Sequence, residues 1–116
     1  MSEKRVRRIA EEIKKTVSKL ILDGLKDPRI DSLASVTHVD LTNDYSIAKI
    51  YISTIDDSKR ADTVEGLESA KGFIKREISK DLKLRIMPEL IFVEDDSIEK
   101  SFELFEKIEK VNEEHK

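Results

Sequence analysis

From Val6 to Leu25 the apolar residues Val6, Ile9, Ala10, Ile13, Val17, Leu20, Ile21 and Leu25 recur mostly at steps of three and four. That spacing predicts an amphipathic helix with one buried stripe. Lys4, Arg8, Lys15 and Lys19, spaced by four and seven, fall on another face. The helix should end near Gly24 to Asp27, because Pro28 disfavours helix in the residue before it. Asp27-Pro28-Arg29 then reads as a turn or irregular loop.

The period next changes to two. In Val36 to Thr42, the residues Thr37, Val39 and Leu41 share one face of a predicted strand. In Ser46 to Thr54, Ala48, Ile50 and Ile52 share one face, and Ile47, Lys49, Tyr51 and Ser53 the other. Thr42-Asn43-Asp44-Tyr45 between them is turn chemistry, which predicts an antiparallel hairpin.

A helical pattern resumes from about Lys59 to Leu82, with Val64, Leu67, Ala70, Ile74, Ile78 and Leu82 on one stripe. Gly66 and Gly72 interrupt it, and an isolated glycine costs a helix about 1 kcal/mol relative to alanine. Gly72 allows a kink or a close backbone approach, so the region reads as two helices meeting at Ala70-Lys71-Gly72. After Pro88, Leu90-Ile91-Phe92-Val93 is apolar on both faces, which suits a central strand. Asp96 and Glu99, three apart, make a capping-box-like start. Ile98, Phe102, Phe105, Ile108 and Val111 then predict a C-terminal helix over about 97–112.

The order is helix, strand, strand, helix, helix, strand, helix. A three-stranded sheet with helices on one face buries all these stripes together, giving an α+β fold. The chain of 116 residues has no repeats and no linker, so 1–116 is expected to form a single domain.

Composition narrows the function. Charged residues make up 41% of the chain, against roughly 25% in ordinary domains, which predicts a solvated surface rich in ion pairs. The absence of cysteine excludes disulfides, thiolate metal sites and cysteine nucleophiles. The basic N-terminus is not followed by the apolar run of a signal peptide. No stretch approaches the ~20 apolar residues of a membrane span. The expectation is a soluble, cytoplasmic protein. Its net charge of −3 hides an uneven distribution. Residues 1–20 carry seven basic and three acidic side chains, residues 71–85 six and two, and residues 89–116 four and ten.

Catalytic chemistry finds little to work with. His38 and His115 are the only histidines; the first lies mid-strand and the second is penultimate. Glu94, Asp95 and Asp96 are sequence neighbours, which point to different faces of an extended segment, so strand exit and helix cap are their expected roles. No phosphate-loop, dinucleotide or hydrolase-elbow pattern occurs. No catalytic residue, metal ligand or cofactor site is expected, and the chain reads as a non-enzyme.

The basic segments say more. Lys71, Lys75, Arg76, Lys80, Lys83 and Arg85 cluster just after the Ala70–Gly72 break. A small residue there lets a phosphate approach the backbone and the start of the second helix, and the cations add salt-dependent attraction. A solvated helix face reads equally well from charge alone. Phe92, Phe102 and Phe105 fall on apolar stripes, whereas Tyr45 in the turn and Tyr51 could stack on bases, with sheet packing the better fit for Tyr51. A base-stacking platform of the RNP type is not supported.

Several segments carry a family resemblance in their order and spacing: Arg5-Val6, Asp27-Pro28-Arg29, Val36-Thr37-His38-Val39 and Ala48-Lys49-Ile50-Tyr51-Ile52-Ser53. Ala70-Lys71-Gly72-Phe73-Ile74-Lys75-Arg76-Glu77-Ile78, Leu84-Arg85-Ile86-Met87-Pro88-Glu89-Leu90-Ile91-Phe92 and Asp95 to Glu99 continue it. With these, the chain resembles the ribosome-binding factor A family over nearly its full length. The resemblance implies a type II KH-like domain, α-β-β-α-(kink)-α-β with a three-stranded sheet, plus the C-terminal helix. In that family a helix–kink–helix with an Ala-x-Gly signature replaces the glycine-rich KH loop, which falls here on Ala70 and Gly72.

The resemblance further implies binding to the free small ribosomal subunit and its RNA during late maturation. It also implies support for 5′-end processing and for growth in the cold, and work alongside assembly GTPases. RNA contacts are then expected from Ala70, Lys71, Gly72, Lys75, Arg76, Lys80 and Arg85, with Arg5, Arg8, Lys15 and Lys19 as a second patch. A monomer is expected. The competing reading is a protein–protein adaptor on the same fold without RNA contact; a small nuclease is a more remote one.

Overall fold

The computed structural model describes residues 3–97. The C-terminal helix expected over 97–112 lies almost entirely outside the described residues. The elements are α1 (Glu3–Asp23), β1 (Ser35–Leu41), β2 (Ile47–Ser53), α2 (Arg60–Ser69), α3 (Lys71–Leu82) and β3 (Glu89–Glu94), with a 3₁₀ turn at Asp57–Lys59 before α2. The expected α+β order is borne out across these residues.

The periodic stripes are the buried ones. Helix α1 buries Ile9, Ala10, Ile13, Thr16, Val17 and Ile21. It stops where Gly24, at φ +88°, donates its N–H to the Ile21 carbonyl at 3.2 Å. Glycine enters this left-handed region without the Cβ penalty that other residues meet. The strands present Val36, Val39, Leu41, Ala48, Ile50, Ile52, Leu90 and Phe92 to the same core, closed from above by Leu67, Ile74 and Ile78. Helix α1 lies on β1 and α3, and α2 lies on β3.

The sheet order is β1-β2-β3, with β1 and β2 antiparallel and β2 and β3 parallel. Two expectations need correction. Thr37 does not share a face with Val39 and Leu41: the ladder shifts register between Val36 and His38, and Val36 joins the core instead. This bulge leaves one extra residue on β1. It turns the Thr37 hydroxyl toward Asp95, which it donates to, and that bond holds the Asp95 carboxyl below its usual range.

The second correction is that β3 is an edge strand and β2 is central. An apolar run reports how many faces are covered, not how many neighbours it hydrogen-bonds. The β3 edge is covered by α2: the buried Phe92 donates its backbone N–H to the Glu68 carboxylate at 2.9 Å. That contact satisfies an amide that an open edge leaves exposed to strangers.

The hairpin turn is held by side chains. Asp44 accepts from the Ser46 hydroxyl at 2.7 Å, from the Thr42 hydroxyl at 2.8 Å and from the Ser46 N–H at 3.0 Å. Those donors pull its pKa down to about 2.

Candidate nucleic-acid interface

The helical region breaks at one residue. Ala70, at φ −88° and ψ 6°, separates α2 from α3. Hydrogen bonding nearly carries through: the Ala70 N–H reaches Gly66 O and the Ile74 N–H reaches Ala70 O, each at 3.0 Å. The bend exists because α2 follows β3 while α3 follows α1. Gly72 sits just inside α3 and is exposed, and a β-carbon built there would meet nothing within 4 Å. No internal packing requires glycine at 72; its backbone simply faces open space.

The expected cations divide into two groups. Lys71 and Lys75, one helical turn apart, both turn toward the start of β3. Lys75 Nζ lies 3.0 Å from Glu89 Oε2, and Lys71 Nζ lies 2.5 Å from Glu68 and 3.6 Å from Glu89. The Lys75 ammonium, by hydrogen bond and charge, lowers the Glu89 pKa. Lys80 pairs with Glu77 at 3.3 Å and Lys15 with Glu12 at 3.6 Å. Arg76, Arg85, Arg5, Arg8 and Lys19 are exposed and have no ion pair among the described residues.

The two patches lie on neighbouring helices, and only part of the second is remote from the break. Thr16 Oγ1 donates to Asp81 Oδ2 at 2.8 Å, while the loop after α1 lies against Ser69 to Phe73. The two helices therefore run antiparallel. Along α1, Arg8 stands about 24 Å from Gly24, at 1.5 Å rise per residue. Arg5 and Arg8 are thus at the far end from the break, with Lys15 and Lys19 between.

The Asp27-Pro28-Arg29 loop packs onto α2. Arg29 forks over Asp27 at 2.7 Å, Glu65 at 3.1 Å and the Ser69 hydroxyl at 2.8 Å. The Arg29 side chain and then its backbone N–H hold Asp27 at about pKa 2, and Asp27 in turn raises that of Arg29. Close approach is possible because residue 66 is glycine: a β-carbon there would sit 2.6 Å from Ile30 Cγ1.

Between residues 24–27 and Ser69, Ala70 and Phe73 this leaves a cavity of about 460 Å³. Phe73, 42% exposed, forms part of its wall. Sequence reasoning missed Phe73 and Lys26 as site residues. The signal for Phe73 was present, since it falls one residue off the Ile74–Ile78 stripe. Lys26 carried none, because only folding brings its loop to the break.

The tyrosines divide differently from expectation. Tyr45, at φ 63°, packs half-buried on the core rather than standing free. Tyr51 lies on the outer sheet face with its ring 5.8 Å from that of His38. Among the described residues, no three His, Asp or Glu side chains converge to hold a metal ion, and no helix is long and apolar enough to cross a membrane.

Both the sequence and the fold have counterparts in known proteins. The family model for ribosome-binding factor A matches residues 5–108. The chain belongs to the ribosome-binding factor A family. Family relatives include ribosome-binding factor A of Clostridioides difficile, 50% identical with 94% of this chain and 86% of the relative covered. That of Finegoldia magna is also 50% identical, with 99% and 97% covered.

Among solved structures, a Thermotoga maritima protein in solution, a putative ribosome binding factor A, aligns with a TM-score of 0.69 at 34% identity, covering 82% of this chain and 91% of its own. The crystal structure of ribosome-binding factor A from Thermus thermophilus aligns at 0.68 and 21% identity, covering 77% and 93%, and shows the same fold. A homology model of Thermus thermophilus ribosome binding factor A, fitted into a cryo-EM map of its complex with the 30S subunit, aligns at 0.61 and 23% identity, covering 75% and 91%.

Proposed function

We propose that this chain binds the small ribosomal subunit through ribosomal RNA, at the helix break, and acts by affinity without catalysis. The observation that carries the reading is the open backbone at Gly72 beside Arg76, on the fold of a family with a relative placed in a 30S complex. Close approach needs a residue without a Cβ, and phosphates need unpaired cations. Arg76, Arg85 and Lys19 supply these directly. Lys71, Lys75 and Lys80 contribute once RNA competes with Glu68, Glu89 and Glu77. Arg5 and Arg8 serve as an outlying patch.

Bound RNA is held in one arrangement until late maturation, including 5′-end processing, is complete. Growth in the cold, cooperation with assembly GTPases, a monomeric state and a cytoplasmic location belong to the same reading. Sedimentation tests it: the protein should travel with free small subunits and not with translating ribosomes. Unchanged small-subunit affinity in the Arg76→Glu, Lys80→Glu double variant would defeat the proposed contact.

One observation favours a second reading. Four of the expected cations, Lys15, Lys71, Lys75 and Lys80, already have carboxylate partners, which suits a protein–protein adaptor with solvated basic faces. Salt separates the two, because phosphate contacts steepen the fall of affinity by about 0.7–0.9 in log–log slope per phosphate and an adaptor lacks that dependence on RNA.

A further inference from the structure

We infer that the cavity beside the helix break is a pocket for an unstacked RNA base, with the Phe73 ring as its stacking surface. This rests on the reading of the break as an RNA interface and adds a recognition element to it. A phenylalanine 42% exposed at the mouth of a cavity of about 460 Å³ has no role in the core. The core side of α3 is already filled by Ile74 and Ile78, both fully buried.

The surroundings suit a nucleotide better than an apolar peptide. Lys26 stands on the loop side, and Arg76, three residues beyond Phe73, lies beside it on the helix surface. Neither has an ion pair among the described residues. They bracket the aromatic wall with charges fit for the phosphates on either side of a base. Gly72, next to Phe73, leaves its backbone open to the sugar–phosphate chain.

The loop wall is braced by the fork of Arg29 onto Asp27, Glu65 and Ser69. The pocket is therefore largely formed before a ligand arrives. An inserted base must leave its stack, so the ligand is single-stranded or bulged RNA, the form in which bases can be splayed onto aromatic rings.

The test uses the full chain and two fluorescently labelled RNA strands of about ten nucleotides, within the span that one such binding surface covers, read by anisotropy. One strand is unstructured and carries bases; the other is abasic throughout. The wild type should bind the base-bearing strand more tightly, and Phe73→Ala should remove about five- to a hundred-fold of that affinity. The abasic strand should bind wild type and Phe73→Ala alike, and Phe73→Tyr should restore the preference. Because Phe73 is partly exposed, thermal melts should show all variants folded.

Equal binding of both strands by the wild type, or full affinity in Phe73→Ala, overturns the pocket while leaving phosphate-driven RNA binding intact. A loss confined to whole small subunits, with the free strand unaffected, assigns the cavity to a protein side chain and overturns the base assignment. Failure of the wild type to bind either strand overturns the pocket together with the RNA reading beneath it.

Discussion

Gly66 and Gly72 are both helical, yet replacing each with alanine should have opposite effects. Helix propensity favours alanine by about 1 kcal/mol in a helix interior, and Gly66 is well inside α2. Against that, its new β-carbon would lie 2.6 Å from Ile30 Cγ1, 3.3 Å from Arg29 Cβ and 3.4 Å from Asp27 Cγ. Carbon atoms sit comfortably at about 3.5–4.0 Å, so roughly 1 Å must be found. All three neighbours belong to one loop, which is tied to α2 by Arg29 on Glu65 and Ser69 and by the Asp31 N–H on the Thr63 hydroxyl at 3.2 Å.

Relief therefore means lifting the loop, and overpacking of this kind costs about 1–3 kcal/mol. The net is a loss of about 1 kcal/mol for Gly66→Ala, once the propensity gain is subtracted. Gly72→Ala meets nothing within 4 Å. In the first turn it should gain about half the interior value, some 0.5 kcal/mol. At about 4 °C per kcal/mol for a domain of this size, thermal melts should separate the two variants by about 6 °C, with wild type between. Gly66→Ala as stable as Gly72→Ala would refute the claim that the Asp-Pro-Arg loop presses on α2. The same pair probes the interface, since Gly72→Ala should weaken RNA binding while raising stability.

Glu89→Gln releases Lys75, while Lys71 keeps Glu68, so RNA affinity should rise about two- to five-fold with a steeper salt slope, as expected from freeing an exposed pair; filter binding at several salt concentrations checks this. Glu68→Ala leaves the buried Phe92 N–H without its acceptor, which should cost about 1–3 kcal/mol in urea unfolding, while Glu68→Gln should recover most of it. Acid melts of Asp27→Asn probe the loop. In the fold Asp27 sits at about pKa 2 against an ordinary 3.8, so in that interval unfolding takes up a proton. The wild type keeps this stabilisation above about pH 4 and loses it as pH falls toward about 2. The asparagine variant should be less stable at neutral pH and should lose less on acidification. Parallel curves for the two proteins would exclude the Asp27–Arg29 contact as an acid-sensitive one.

Local chemistry was enough to determine much of this protein. The steps of three and four from Val6 to Ile21, glycine at 24 and proline at 28, and the alternation of Ala48, Ile50 and Ile52 each act within one element. Each states which face is apolar and where the chain must turn. The break at Ala70 was legible as a weak point, since two glycines flank it, although the bend itself follows from α2 packing on β3 and α3 on α1. Other features were decided only by tertiary structure, because each joins residues distant in the chain. The bulge at Thr37 depends on the register with β2. The edge position of β3 depends on which side of β2 the α2–α3 crossover delivers it to. The pairing of Lys71 and Lys75 depends on Glu89 arriving beside them. The cavity at Phe73 exists because the loop at Gly24 to Asp27, far earlier in the sequence, closes against it. Charge and periodicity describe a residue and its near neighbours, and a partner across the fold leaves no mark on either.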